Sequence, residues 1–372
     1  MININDFIGS LKNLDLNFAT GVPDSLLKDL CFELENKFKK NHIIAANEGA
    51  AVAIGIGYHL KSGKIPIVYL QNSGLGNMIN PILSLADPNV FKIPMLLIMG
   101  WRGEKKKNLR DEPQHMTQGA VTEDFLKMMK IKYTILSASS NYKKKISNLF
   151  NYSKKKKRIS CLLVRKNSFQ SINYSKKKYL NNKLDEREAI LNHIIKKLPK
   201  NLNSISTTGI LSRELYEILK KNNKLNNLMC VGGMGHAISI ASGIAHNSKK
   251  KVLCLDGDGS ITMHLGSLTT SSKLDNIIHV VFNNKSHESV GGHDTSSKHV
   301  EFYRLAKFLG YKISKVAKNK KQASSLIIEA LKTNKSYFIE IICKKGHRKN
   351  ISRPKEKMTE LKNKFIKNLN KE

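Results

Sequence analysis

Val252-Leu253-Cys254-Leu255-Asp256-Gly257-Asp258-Gly259-Ser260 is an apolar run that stops at a glycine turn. Short continuous apolar runs of this kind read as strands buried on both faces, which points to a parallel sheet covered by helices. A second run, Ile277-Ile278-His279-Val280-Val281-Phe282-Asn283, follows a helical stretch at 263–273 and leads into Asn284. Working outward, strands fall near 203–207, 228–231 and 337–343, and helices at 187–198, 211–221, 235–246 and 322–333. The first half alternates in the same way, with strands at 65–70, 93–99 and 159–164 and helices that include 47–62 and 77–86. Between about 167 and 188 the pattern lapses into polar sequence, as a linker does. The expected architecture is therefore α/β, two doubly wound parallel-sheet domains: residues 1–168, a linker at 169–186, residues 187–350, and a charged tail at 351–372.

The chain's 372 residues suit two domains of ordinary size. A 40% apolar content is enough to build cores and excludes wholesale disorder. Lys and Arg number 64 against 29 acidic residues, a net charge of +35. The lysine runs (143–145, 154–157, 176–178, 249–251, 318–321) are scattered beside apolar elements, and only 7% of residues are aromatic. Nucleic-acid binders concentrate charge and interleave stacking rings, so the lysines read as solvated loop decoration and no nucleic-acid partner is expected. Cys31, Cys161, Cys230, Cys254 and Cys343 include no CxxC pair, so neither a disulfide framework nor a cysteine zinc site is supported. The N-terminus does not read as a signal peptide and no apolar run reaches the roughly 18 residues of a membrane span. The expectation is a soluble cytoplasmic protein with no membrane partner.

In open parallel sheets ligands bind beyond the carboxyl ends of strands. Polar, glycine-rich loops occupy such ends at 71–76, 100–103, 232–235, 257–260 and 283–287. In the strongest of them, Gly257 and Gly259 let the backbone approach a phosphate, and the helix expected next offers its positive end. Asp258 would repel a bare phosphate but suits a cation bridging to one, and Asn284 offers a second hard oxygen. A dinucleotide fingerprint fails here, because Thr262 stands where its third glycine belongs. The plain alternative for Gly257–Ser260 alone is a solvent-facing turn, but the asparagine pair ending the neighbouring strand weighs against it.

Gly257-Asp258-Gly259, followed by Asn283-Asn284, resembles the diphosphate motif of thiamine diphosphate enzymes. The resemblance implies a pyrimidine-binding first domain and a diphosphate-binding second one. It also implies Mg²⁺ held by Asp258, Asn284 and the main-chain oxygen of Ser286. A glutamate at a helix start in the first half should then serve the aminopyrimidine, and Glu48, in Asn47-Glu48-Gly49-Ala50-Ala51, meets that expectation. On its own Glu48 is equally well a residue serving the helix dipole. Apolar surroundings would keep its proton on, for bonding to the pyrimidine N1′. The imino form of the coenzyme so favoured generates its reactive carbanion. In Gly233-Met234-Gly235, Met234 corresponds to the bulky residue that props the coenzyme in a bent shape; the alternative is simple core filling.

Longer blocks narrow the resemblance. Thr20-Gly21-Val22-Pro23-Asp24-Ser25, Gln71-Asn72-Ser73-Gly74-Leu75-Gly76-Asn77, Trp101-Arg102-Gly103-Glu104, Asp111-Glu112-Pro113-Gln114-His115 and Asn284-Lys285-Ser286-His287-Glu288 are similar to the phosphonopyruvate decarboxylases. These form a compact branch of the thiamine diphosphate-dependent 2-oxo acid decarboxylases, and the likeness runs from about residue 5 to 345. It implies a small 2-oxo acid substrate, 3-phosphonopyruvate, yielding phosphonoacetaldehyde and CO₂ in phosphonate biosynthesis. Sulfopyruvate is the rival substrate, and a basic nucleic-acid-binding protein on an inactive cofactor fold is the rival class. His115 and His287 are the expected proton donors, since imidazole titrates near neutrality; otherwise each is a loop surface residue. Arg102, Arg110 and Lys285 are candidates for the phosphonate, with Asp24 and Asn72 lining the site. Lys285 departs from the family, which commonly has a glycine there. The family also places its active sites between subunits, which implies a homo-oligomer, with Glu48 of one chain facing Met234 and Asp258 of another.

Overall fold

The computed structural model describes residues 1–105, 111–172, 183–222 and 224–369. Arg110 and its neighbours 106–109 lie outside them, as do most of the expected linker and the last three residues of the tail. Chain contacts divide the protein into two units, Met1–Lys176 and Lys177–Glu372.

The first unit contains β1 (Ala19–Gly21), β2 (His42–Ile44), β3 (Ile67–Gln71), β4 (Met95–Gly100), β5 (Lys132–Leu136) and β6 (Ile159–Val164). They form a parallel sheet in the order β2-β1-β3-β4-β6-β5. Alternate residues enter opposite cores: Ile67, Tyr69, Leu96 and Ile98 pack on one face, while Val68, Leu70, Leu97 and Met99 pack on the other. This two-sided burial is why β3, β4 and β6 lack a polar alternation and read so plainly in the sequence.

The second unit contains β7 (Leu202–Ser206), β8 (Leu225–Met229), β9 (Val252–Gly257), β10 (Ile277–Asn283), β11 (Ser286–His287), β12 (His293–Asp294), β13 (Ile313–Ala317) and β14 (Tyr337–Ile342). Its main sheet is again parallel, in the order β13-β14-β10-β9-β7-β8. Numbered within each unit and read from the matching edge, both sheets run 2-1-3-4-6-5. The small antiparallel ribbon β11–β12 follows the fourth strand of the second sheet.

The expected α/β class stands. Four sheet strands went unread, and three of them (β2, β5 and β13) are edge strands. An edge strand faces solvent along one side and needs no continuous apolar run. The fourth, β1, is three residues long and ends in glycine. The segment expected as a charged tail includes regular structure. It contains helix Met358–Leu369, whose Phe365 is buried and whose Phe365 carbonyl accepts a 3.1 Å bond from Asn226 on β8. Its apolar residues recur at helical spacing, which the surrounding lysines obscure. Among the described residues no helix is long and apolar enough to cross a membrane.

Candidate active site

In the first unit the chain leaves β2 and is caught by Asn47, whose side chain accepts the Ala50 N–H at 2.8 Å and starts helix Glu48–Ser62. Glu48 is only 6% exposed. Its carboxyl lies across Gly74, where a Cβ would come within 2.4 Å of the carboxyl carbon. Asn77 donates to Oε2 at 2.7 Å. Burial raises the Glu48 pKa, and the Asn77 amide and the residue's own N–H only partly oppose it.

Asp24, just beyond β1, is 1% exposed. Its carboxyl covers Gly100, where a Cβ would clash with Oδ2 at 1.8 Å. Neither carboxyl oxygen has a hydrogen bond of ordinary geometry. Burial pushes its pKa up to about 7, against the weaker pull of nearby backbone N–H groups and the Arg102 charge.

Arg102, expected to meet an anion, already holds one. Its Nε donates to Asp111 Oδ2 at 2.8 Å, its second terminal nitrogen contacts Asp111 Oδ1, and Nη1 reaches Ser25 at 2.9 Å. Burial disfavours the Asp111 charge, but this guanidinium and two N–H groups outweigh it and hold the pKa well below the usual range. Asn72 is also committed. Its amide donates to the Arg102 carbonyl and to Thr122, both at 2.9 Å, and its oxygen accepts the Arg102 N–H at 3.0 Å. These two residues thus brace the wall beside Asp24 rather than present free polar atoms. His115 sits half-buried near the start of helix Pro113–Met128, its carbonyl pressed against Gly103.

In the second unit the strand order reverses around β7, which is where parallel sheets open a crevice. The loops after β7, β9 and β10 line a cavity of about 70 Å³ there, with Thr208, Gly209, Met234, Asp258, Asn284 and Arg187 among its walls. Asp258 is 2% exposed, and its Oδ2 accepts the Thr295 hydroxyl at 2.8 Å. Burial raises its pKa to about 6, with Thr295 and local N–H groups opposing. Asn284 Oδ1 accepts the Ser286 N–H at 3.1 Å, closing the turn, and its amide lies 3.3 Å from Glu288 Oε1. Among the described residues the buried Ser286 hydroxyl has no hydrogen-bond partner.

Gly233 and Gly235 adopt φ of 60° and 92°, which glycine alone takes readily. Between them, Met234 reaches the turn: its methyl would lie 3.3 Å from a Cβ at Gly259. The Ser260 hydroxyl ties these loops together, accepting from Gly235 N at 3.1 Å and from Thr207 at 2.8 Å. At Gly257 a Cβ would meet nothing within 4 Å, so the backbone is open there. His287 lies against Gly259, and burial, then His293, press its pKa down to about 4. At neutral pH it is an uncharged imidazole and not an acid. Lys285 is exposed and adopts φ 58°, a left-handed conformation that favours glycine.

Sequence reasoning missed Gly74 and Asn77 around Glu48, Thr295 on Asp258, and the loop Thr207-Thr208-Gly209. The last carried a readable signal, small polar residues between a strand and a helix. The others are partners brought together only by folding.

Residues 5–128 match the family description "Thiamine pyrophosphate enzyme, N-terminal TPP binding domain", and residues 205–341 match its C-terminal TPP binding domain. A phosphonopyruvate decarboxylase from Streptomyces viridochromogenes is 28% identical over 98% of this chain and 94% of its own. A sulfopyruvate decarboxylase from Methanosarcina acetivorans is 26% identical over 91% of this chain and 90% of its own. The sulfopyruvate decarboxylase subunit alpha of Methanocaldococcus jannaschii is 33% identical over 37% of this chain and 84% of its own.

Proposed function

The chain belongs to the thiamine pyrophosphate enzymes, and from that premise we propose that it decarboxylates 3-phosphonopyruvate to phosphonoacetaldehyde and CO₂ with thiamine diphosphate and Mg²⁺. The observation that carries the cofactor reading is the pair of buried acids, Glu48 in the first unit and Asp258 in the second. Likeness to phosphonopyruvate decarboxylases along nearly the whole chain supports the substrate.

The residues present fit the coenzyme. Open backbone at Gly257, left-handed Gly209 and the unpartnered Ser286 hydroxyl suit a diphosphate. A carboxyl that burial holds near pKa 6 suits a cation that would displace its proton. Asp258, Asn284 and the main-chain oxygen of Ser286 would hold Mg²⁺ in an oxygen shell. When bound, the coenzyme supplies the electron sink that accepts the pair released as CO₂ departs.

Burial favours the protonated form of Glu48, whose carboxyl would hydrogen-bond the aminopyrimidine, and Met234 would pack against the coenzyme. Asp24, its pKa raised to about 7 by burial, can hold or release a proton at neutral pH and would be the first-unit candidate for proton transfer. Arg102 and Asn72 position that wall, and Lys285, exposed beside Asn284, is the candidate among the described residues to meet the phosphonate. His287, an uncharged imidazole by burial, serves as a hydrogen-bonding group rather than a proton donor, and His115, near the start of helix Pro113–Met128, is the remaining histidine candidate for donor. The reading includes a homo-oligomer as the active species; a monodisperse active monomer in sedimentation would refute this.

CO₂ release from phosphonopyruvate and from sulfopyruvate, each with and without thiamine diphosphate and Mg²⁺, tests the reading. Cofactor-dependent turnover preferring phosphonopyruvate is expected. Preference for the sulfonate overturns the substrate, and turnover indifferent to cofactor overturns the mechanism.

A further inference from the structure

Behind the Gly257–Asp258 turn lies a polar chain that the proposed chemistry does not use. Asp256, the penultimate residue of β9, is fully buried. Its Oδ1 accepts the Gly257 N–H at 2.9 Å, and its Oδ2 lies 3.3 Å from Nε2 of His279 on β10. His279 Nδ1 lies 3.4 Å from the Tyr311 hydroxyl, which is 2.7 Å from the Ser271 hydroxyl. His279 pairs in register with Cys254 and Val281 with Asp256, so Asp256 and His279 share a sheet face diagonally.

We propose that Asp256, His279 and Tyr311 form a buried bracket that positions the Gly257–Asp258 turn to receive its cation; this rests on the cofactor reading above. Inside a packed core such a chain is expensive unless every member is paired. Here it is paired end to end, and it ends on the N–H that precedes the proposed metal ligand. Asp256 thereby fixes the direction in which the backbone leaves the sheet, and Tyr311 sets which nitrogen of His279 faces Asp256. Cys254, Asp256 and His279 lie close enough to resemble a metal triad. Asp256 and His279 already have partners, however, and burial favours the protonated Cys254 thiol, so a bracket accounts for the cluster better than an ion does.

The test compares the full-length protein with Asp256→Asn, His279→Gln, His279→Ala and Tyr311→Phe, using calorimetric Mg²⁺ titration in the presence of thiamine diphosphate, alongside thermal unfolding of the cofactor-free protein. Loss of an outer-sphere partner typically weakens a metal site about 10–100-fold. Tyr311→Phe, which leaves the turn's own atoms in place, should weaken Mg²⁺ by about tenfold, and Asp256→Asn by at least as much. His279→Gln should recover part of the loss seen with His279→Ala. Variants that melt lower but bind Mg²⁺ like the wild type would overturn the bracket while leaving the cofactor reading intact. A wild type that binds no Mg²⁺ with thiamine diphosphate would remove that reading and the bracket with it. One tightly held metal per chain in the purified protein, lost in Cys254→Ser, would replace the bracket with a metal centre.

Discussion

The two units run their six strands in one order but treat their acids in opposite ways. In the first, Glu48 and Asp24 lie over Gly74 and Gly100, with one side-chain hydrogen-bond partner between them among the described residues, Asn77. In the second, Asp258 is held by Thr295 and by backbone N–H groups, in a crevice whose loops are tied together by Thr207 and Ser260. Both arrangements raise the carboxyl pKa through burial. The sparse one leaves a proton as the carboxyl's most readily available companion. The polar one adds open backbone and hard oxygens, so a cation can take the proton's place. One scaffold thus yields a proton-holding half and an ion-holding half through what its loops place around a carboxyl.

Breaking the proton-holding half should have the largest effect. Glu48→Gln should lower turnover about 10²–10⁴-fold, the usual span for a lost acid–base group, while calorimetry shows coenzyme affinity nearly unchanged. A parallel collapse of binding would mean that Glu48 is structural. Breaking the ion-holding half should give the converse: Asp258→Ala should weaken Mg²⁺ at least about 100-fold, beyond what an outer partner contributes. In the wild type, Mg²⁺ affinity should fall as pH drops through about 6, where Asp258 takes up its proton.

Asp24→Asn sharpens the contrast through stability. The unfolded carboxyl ionises near pH 4, whereas the folded one holds its proton to about 7. Between those values the native state binds more protons, so the wild type loses stability as pH rises and the asparagine variant does not. Its advantage should grow across that window to about 2–4 kcal/mol, together with a loss of turnover. Equal stability of the two proteins at pH 8 in chemical denaturation would contradict the buried, unpartnered environment. The smallest change is Lys285→Gly, which relieves a left-handed lysine and should stabilise by about 0.5–1 kcal/mol. A large fall in phosphonopyruvate affinity with it would mark Lys285 as the phosphonate contact.

How far the sequence could be read follows burial. Strands β6 and β10 were read to the residue, because they are apolar on both faces, and Gly257–Ser260 and Glu48 stood out because loops and helix starts carry local signatures. The edge strands β2, β5 and β13 escaped for want of a two-sided core. Asn77, Thr295 and Tyr311 escaped because their partners lie far along the chain, and no spacing rule joins a hydroxyl to a carboxyl across an insertion such as β11–β12. Arg102 was legible as a residue but not as a neutralised one, since its pairing with Asp111 depends on how the intervening loop closes.

Helix Met358–Leu369 carries a practical warning for anyone trimming the gene. Its lysine-rich ending invites deletion, yet removing it would strip Phe365 from its pocket and leave the Asn226 amide without the carbonyl it now serves. A shortened version would present a bare apolar spot beside the outermost strand of its sheet, where stray copies could join edge to edge.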